Sequence, residues 1–306
     1  MEYYINTNDS INKTLEKCTP GDIIYLDDGV YYEKVIILKN NIKIIGKNVN
    51  NTVISNKDFY HKIMNDYNEC NTFRTYTCYV GSDDVVIENI TIRNDATPSS
   101  KYGQAVALHV DGNNFNCIGC NIESAQDTLF TGPMPCDLIK RHEFFLPAYQ
   151  RTGRESIQIY NKCKIIGDVD FIFGSATALF YMCDIISITN ERVGFISAPS
   201  HPLETKYGYL FYKCNLIGES INNVYLGRPW RDYGSAAFIK CNMGKHIIKL
   251  GFNKWNDTNR DKTARFYEYT ENYDLSGREP WSNQLNLEQA NEFVKNYFEY
   301  INFKEN

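Results

Sequence analysis

Two aspartates stand in short sequences that give them little structural reason to be there: Asp127 in Gln126-Asp127-Thr128-Leu129 and Asp170 in Asp170-Phe171-Ile172-Phe173-Gly174. A carboxylate among apolar side chains loses its water, which costs free energy unless a partner or a reaction uses the group. A third segment, Leu226-Gly227-Arg228-Pro229-Trp230, offers a guanidinium that can pair one carboxylate and an indole face beside it. Two carboxylates, a cation and an aromatic ring fit a hydrolase site for a sugar polymer. Each residue also has a plainer reading: Asp127 capping a turn, Gln126 in an amide ladder, Arg228 and Asp170 as a structural ion pair.

The five histidines, His61, His109, His142, His201 and His246, fall outside these motifs, which disfavours a Ser-His-Asp esterase. His109 reads as local packing.

The elements that must position the carboxylates show as imperfect repeats. Phe115-Asn116-Cys117, Tyr160-Asn161-Lys162-Cys163, Phe180-Tyr181-Met182-Cys183, Phe211-Tyr212-Lys213-Cys214 and Phe238-Ile239-Lys240-Cys241 share one pattern, most of them followed by alternating apolar positions and a small residue. With further apolar runs at 22–26, 34–38, 42–45 and 85–92, this is the signature of stacked strands. A right-handed parallel β-helix is the expected all-β architecture. A sandwich or propeller would need clearer hairpin turns.

Helices are expected only at the ends. Ser10 can cap a short segment with Ile11, Leu15 and Cys18 on one face, and Leu287, Ala290, Phe293, Val294, Tyr297 and Phe298 follow helical spacing near the other terminus. Both are expected to close open ends of the solenoid.

Asp127 and Asp170 lie 43 residues apart, more than one coil of about 20 to 25 residues. The stretch 133–155 holds Pro133, Pro135, Pro147 and Gly153 and lacks strand periodicity, so it reads as a loop inserted into a single domain spanning 1–306. Looping it out places the aspartates side by side on neighbouring coils.

Bulk properties exclude other classes. Net charge is −5, from 32 basic and 37 acidic residues, which offers nucleic acid no broad basic surface. The most apolar stretch is too short to span a membrane. Ten cysteines include a Cys117-Ile118-Gly119-Cys120 pair, but nothing completes a zinc site, so the thiols read as small buried side chains in a reducing compartment. No metal or cofactor is expected. The first fifteen residues do not read as a secretory leader, so the chain reads as cytoplasmic, or as secreted if a leader has been removed.

With these residues in view, the sequence resembles the pectin methylesterases. Gly103-Gln104-Ala105-Val106-Ala107-Leu108, Gln126-Asp127-Thr128-Leu129, Gly167-Asp168-Val169-Asp170-Phe171-Ile172-Phe173-Gly174 and Leu226-Gly227-Arg228-Pro229-Trp230 occur in that family's order. Gly29-Val30-Tyr31-Tyr32-Glu33 is similar to another of its segments, and the long 133–155 loop is similar to those of bacterial members.

The resemblance implies a monomeric esterase acting on methyl-esterified homogalacturonan or oligogalacturonides. It makes Asp170 the nucleophile, Asp127 the proton donor and later base, and Gln126, helped by Gln104, the oxyanion stabiliser. Arg228 would hold Asp170 ionised, Asp127 would be kept protonated by burial and by the Asp170 charge, and Trp230 and Thr72 would contact sugar. Lys140, Arg141, Arg151 and Arg154 of the loop are candidates to meet uronate carboxylates, although Asp137, Glu143 and Glu155 nearly cancel their charge. Other readings on such a scaffold are a glycoside hydrolase or lyase, an acyl thioesterase, or a non-catalytic carbohydrate-binding solenoid.

Overall fold

The cysteine repeats have a conformational cause. Lys162, Met182, Lys213 and Lys240 each precede a buried cysteine and each takes a left-handed backbone, with φ of 53°, 53°, 55° and 55°. Such a residue turns the chain sharply from one strand into the next. The cysteine after it drops into the interior, its sulfur against a carbonyl of the neighbouring coil: Cys163 on Cys117, Cys183 on Tyr160, Cys214 on Phe180 and Cys241 on Phe211. Gly119, at φ 60°, makes the same turn before Cys120.

Cys120 therefore belongs to this series and Cys117 does not. Cys117 lies inside the strand Phe115–Ile118, paired with Tyr160, because an aromatic two residues before a cysteine suits a strand as well as a turn.

The structure is a computed structural model that describes residues 1–64, 69–143, 146–150, 154–188 and 192–305. It is a right-handed parallel β-helix whose walls, among the described residues, are sheets of eleven, seven and eight strands. Inside, Tyr160, Phe180, Phe211 and Phe238 stack with ring centroids 4.9, 4.5 and 4.3 Å apart. The next position in that file is Glu268, in register with Phe238. It is fully buried and held by Arg278 through two hydrogen bonds of 2.7 Å.

Helix α1 (Ile11–Lys17) covers the N-terminal end, with Ile11 and Leu15 buried and the Ser10 oxygen accepting from the Lys13 amide. Glu33 reinforces this cap by accepting from the amides of Ile11 and Asn12 and from the Ser10 hydroxyl. The Gly29-to-Glu33 segment thus anchors the lid of the solenoid.

The expectation of helices only at the ends needs correcting. Helices α2 (Ser99–Tyr102) and α3 (Cys136–Arg141) form within long connections, where a local turn satisfies backbone groups that no strand can pair. Helix α4 (Leu287–Tyr300) does not close the far end. It lies along the eleven-stranded sheet, packing Ala290, Val294 and Tyr297 on Leu179, Tyr181, Leu210, Tyr212, Ala237 and Ile239. Those strands are apolar on both faces, and their outer face requires a cover. Leu287, although on the helical stripe, opens the helix and is 48% exposed.

A second apolar layer lies outside the seven-stranded sheet. Phe130, Phe173 and Ala198 face outward there and are packed by Phe73, Leu138 and Leu146 from the connections.

Candidate active site

Strand register answers the spacing question. Leu129 pairs with Ile172, so Asp127 and Asp170, each two residues upstream, stand at the same place on adjacent coils, with the long connection between them looped out. The Asp127 amide donates to the Val169 carbonyl at 3.1 Å, fixing that alignment. Both aspartates have left-handed backbones, φ 64° and 49°, a conformation Asp tolerates better than most residues. Both line an open cleft of about 420 Å³ on the outer side of the seven-stranded sheet.

Arg228, just after the strand Val224–Gly227, reaches back to Asp170, with Nε on Oδ1 at 2.9 Å and Nη2 on Oδ2 at 2.6 Å. Its guanidinium carbon lies 3.9 Å from the Phe195 ring centroid and 4.1 Å from that of Trp255, so two aromatic rings pack on the fork. Among the described residues no salt bridge is made to Asp127.

The electrostatic result is an unequal pair. Burial pushes the Asp127 carboxyl well above the ordinary range, and the Asp170 charge pushes it further. Burial also raises Asp170, but the hydrogen bonds and charge of Arg228 oppose the rise. The sequence foresees the restraint by Arg228 and not the net upward direction at Asp170. At an intermediate pH the arrangement favours one protonated and one ionised carboxyl, as an acid beside a nucleophile requires.

Gln104 and Gln126 face each other in a parallel bridge, and both line the cleft next to Asp127. The oxygen of the Gln126 side chain accepts from Arg192 Nη2 at 3.2 Å. Trp230 and Thr72 are also in the wall, with Trp230 against the rings of Phe73 and Phe173 at 6.5 and 5.8 Å. All seven residues singled out from the sequence thus meet in one cleft.

The insertion is less uniform. Leu138 and Arg141 of α3 line the cleft, and Asp137 bonds Arg231 at its edge. Arg154 does not face the cleft: it forms a bidentate pair with Asp83 on the body of the solenoid. Lys140 is exposed and absent from the lining, and Arg151 lies outside the described residues. His109 is fully buried beside Asp111 and among the rings of Tyr79 and Phe130, as packing predicts.

Sequence reading missed Phe195 and Trp255, which flank Arg228, and the group formed by Ser99, Asp168 and Arg192 behind Gln126. Only Asp168, inside a motif already noticed, carried a local signal.

Known proteins share this architecture. A family model described as Pectinesterase matches residues 2–134 and 139–301, the gap falling at the start of α3. The chain is 31% identical over 285 residues to Probable pectinesterase 8 of Arabidopsis thaliana, covering 88% of this chain and 65% of that protein. It is 30% identical over 306 residues to Pectinesterase 31 of the same plant, covering 96% and 88%. Pectin methylesterase PemA from Erwinia chrysanthemi superposes with a TM-score of 0.78 at 24% identity, with 96% of each chain covered. Because the family model spans both aspartate motifs and nearly the whole β-helix around them, this chain belongs to the pectinesterase family.

Proposed function

We propose that the chain is a carboxylic ester hydrolase that removes C6 methyl esters from galacturonosyl units of pectin or pectic oligosaccharides. The observation that carries this reading is the pairing of two in-register carboxyls of which Arg228 grips only one.

In the first half-reaction an ionised Asp170 oxygen attacks the ester carbonyl carbon. The amide N–H groups of Gln126 and Gln104 donate to the oxyanion that forms. Collapse breaks the bond to methoxide, which takes the proton of Asp127 and leaves as methanol. Asp170 is then joined to the uronyl group as an anhydride. In the second half, ionised Asp127 takes a proton from water as its oxygen attacks the same carbon. Asp170 departs as a carboxylate, and Asp127 is again protonated. Trp230 supplies a ring for the apolar face of a sugar, with Thr72 in the same cleft wall for a further sugar contact.

Methanol release from methyl-esterified oligogalacturonides tests the reading. The wild type is expected to release methanol without shortening the oligosaccharide, and Asp170→Ala to lose at least about 10³-fold in kcat. Shortened chains would instead indicate a glycosidase or lyase. Binding without turnover by the wild type would indicate a carbohydrate-binding solenoid.

A further inference from the structure

Behind Gln126 lies a polar group that the reaction scheme leaves unused. Arg192 Nη2 donates to the Ser99 hydroxyl at 2.6 Å and lies 3.4 Å from each oxygen of Asp168, besides its contact with Gln126. Ser99 donates in turn to Asp168, and the Val169 amide donates to Asp168 at 2.6 Å. Asp168 is buried, with 11% of its side chain exposed, so its charge is costly without these partners. The Arg192 backbone is held as well, its carbonyl accepting from Asn223 at 3.1 Å.

We propose that Arg192, backed by Asp168 and Ser99, is a positioning residue that fixes which end of the Gln126 amide faces the reacting ester; this rests on the esterase reading given above. A carboxamide can rotate by half a turn and exchange its oxygen for its NH2 with little change in shape. Only one orientation presents a donor to an oxyanion. Arginine settles the matter because a guanidinium has donors and no acceptor, so the group it faces must be the oxygen of Gln126. The NH2 is thereby left for the cleft.

Asp168 has the complementary task. Its carboxylate meets the same Nη2 that contacts Gln126, and so restrains Arg192, whose side chain is 42% exposed, from swinging into solvent. The motif that delivers Asp170 to the cleft thus also delivers, two residues earlier, the anchor of the oxyanion donor's support.

The test is steady-state methanol release by the full-length protein and its Arg192→Met and Arg192→Lys variants, each also made in a Gln126→Ala background. Arg192→Met is expected to lower kcat roughly tenfold, a fraction of what loss of an oxyanion donor costs, with KM changed less than about twofold. Arg192→Lys, which keeps a donor-only cation, is expected to recover part of that loss. In the Gln126→Ala background Arg192→Met is expected to lower kcat by less than about twofold, because the amide it orients is gone. Equal losses in both backgrounds overturn the proposal, as does a raised KM with unchanged kcat, which would make Arg192 a substrate contact. A wild type that releases no methanol overturns the esterase reading and this proposal with it. An active wild type matched by Arg192→Met overturns the proposal alone. Arg192→Met leaves the buried Asp168 charge to Ser99 and the Val169 amide alone, so some loss of melting temperature is expected, equal in the wild-type and Gln126→Ala backgrounds; a kcat loss that is also equal in both would assign Arg192 a structural role instead.

Discussion

Arg228 holds both oxygens of Asp170, at 2.9 and 2.6 Å, while its guanidinium packs on the rings of Phe195 and Trp255. Burial raises the Asp170 pKa and Arg228 opposes that rise, so the arginine determines how far toward acid pH this carboxyl stays ionised.

Removing it has a definite sign. In Arg228→Ala the Asp170 pKa moves further up, and the acid limb of the kcat/KM profile for methanol release shifts to higher pH. Arg228→Lys keeps charge without the planar fork and is expected to shift the limb part of the way. An acid limb at the wild-type position in both variants would contradict this role.

Asp127 makes an opposite prediction, about stability. Its folded-state pKa lies above the ordinary carboxylate value, so its contribution is fully present below the unfolded pKa of about 4 and is lost as pH rises through the raised folded value. Asp127→Asn carries no such dependence. Its melting temperature is expected to match that of the wild type near pH 4 and to exceed it increasingly toward neutral pH. The effect grows by about 1.4 kcal/mol for each unit of pKa elevation. Melting curves across that range check this, and a gap that does not change with pH would refute it.

The buried pair of Glu268 and Arg278 ends the aromatic file. Arg278→Met strands a carboxylate in the interior and is expected to cost about 3–5 kcal/mol in denaturant unfolding. Replacing both residues by Met is expected to restore most of that loss. A double variant as unstable as the single one would show that packing of the arginine stem, rather than its charge, matters.

Nine of the ten cysteines are buried and Cys136, at the start of α3, is exposed. A thiol reagent is expected to modify one group rapidly in the native protein and ten after denaturation. Cys136→Ser is expected to abolish the rapid phase, and rapid reaction of several thiols in the native state would contradict the packing of the sulfur file.

What could be read from the sequence was whatever a few adjacent residues determine together. Asp127, Asp170, Arg228 and Trp230 sit in compact motifs, and the left-handed turns before the cysteines recur often enough to reveal stacked strands. Arg192 was invisible because its segment looks like any polar connection, and its partners Ser99 and Gln126 are remote in the chain. The place of α4 was misjudged because its helical spacing suits an end cap and a flank equally. The deciding signal lay elsewhere, in Leu179, Tyr181, Leu210 and Tyr212, which make those strands apolar on their outer face too. The Cys117 repeat failed for a similar reason, since register depends on the partner strand.

The looped-out connection between Asp127 and Asp170 has an evolutionary consequence. Leu129 and Ile172 are neighbours across one step of the solenoid, as are Ile159 and Leu179, although far more chain separates the first two. Length added between strands therefore does not alter the register of the two carboxyls. Such a scaffold lets the rim of the cleft change in length and composition while the two carboxyls at its floor stay opposite one another.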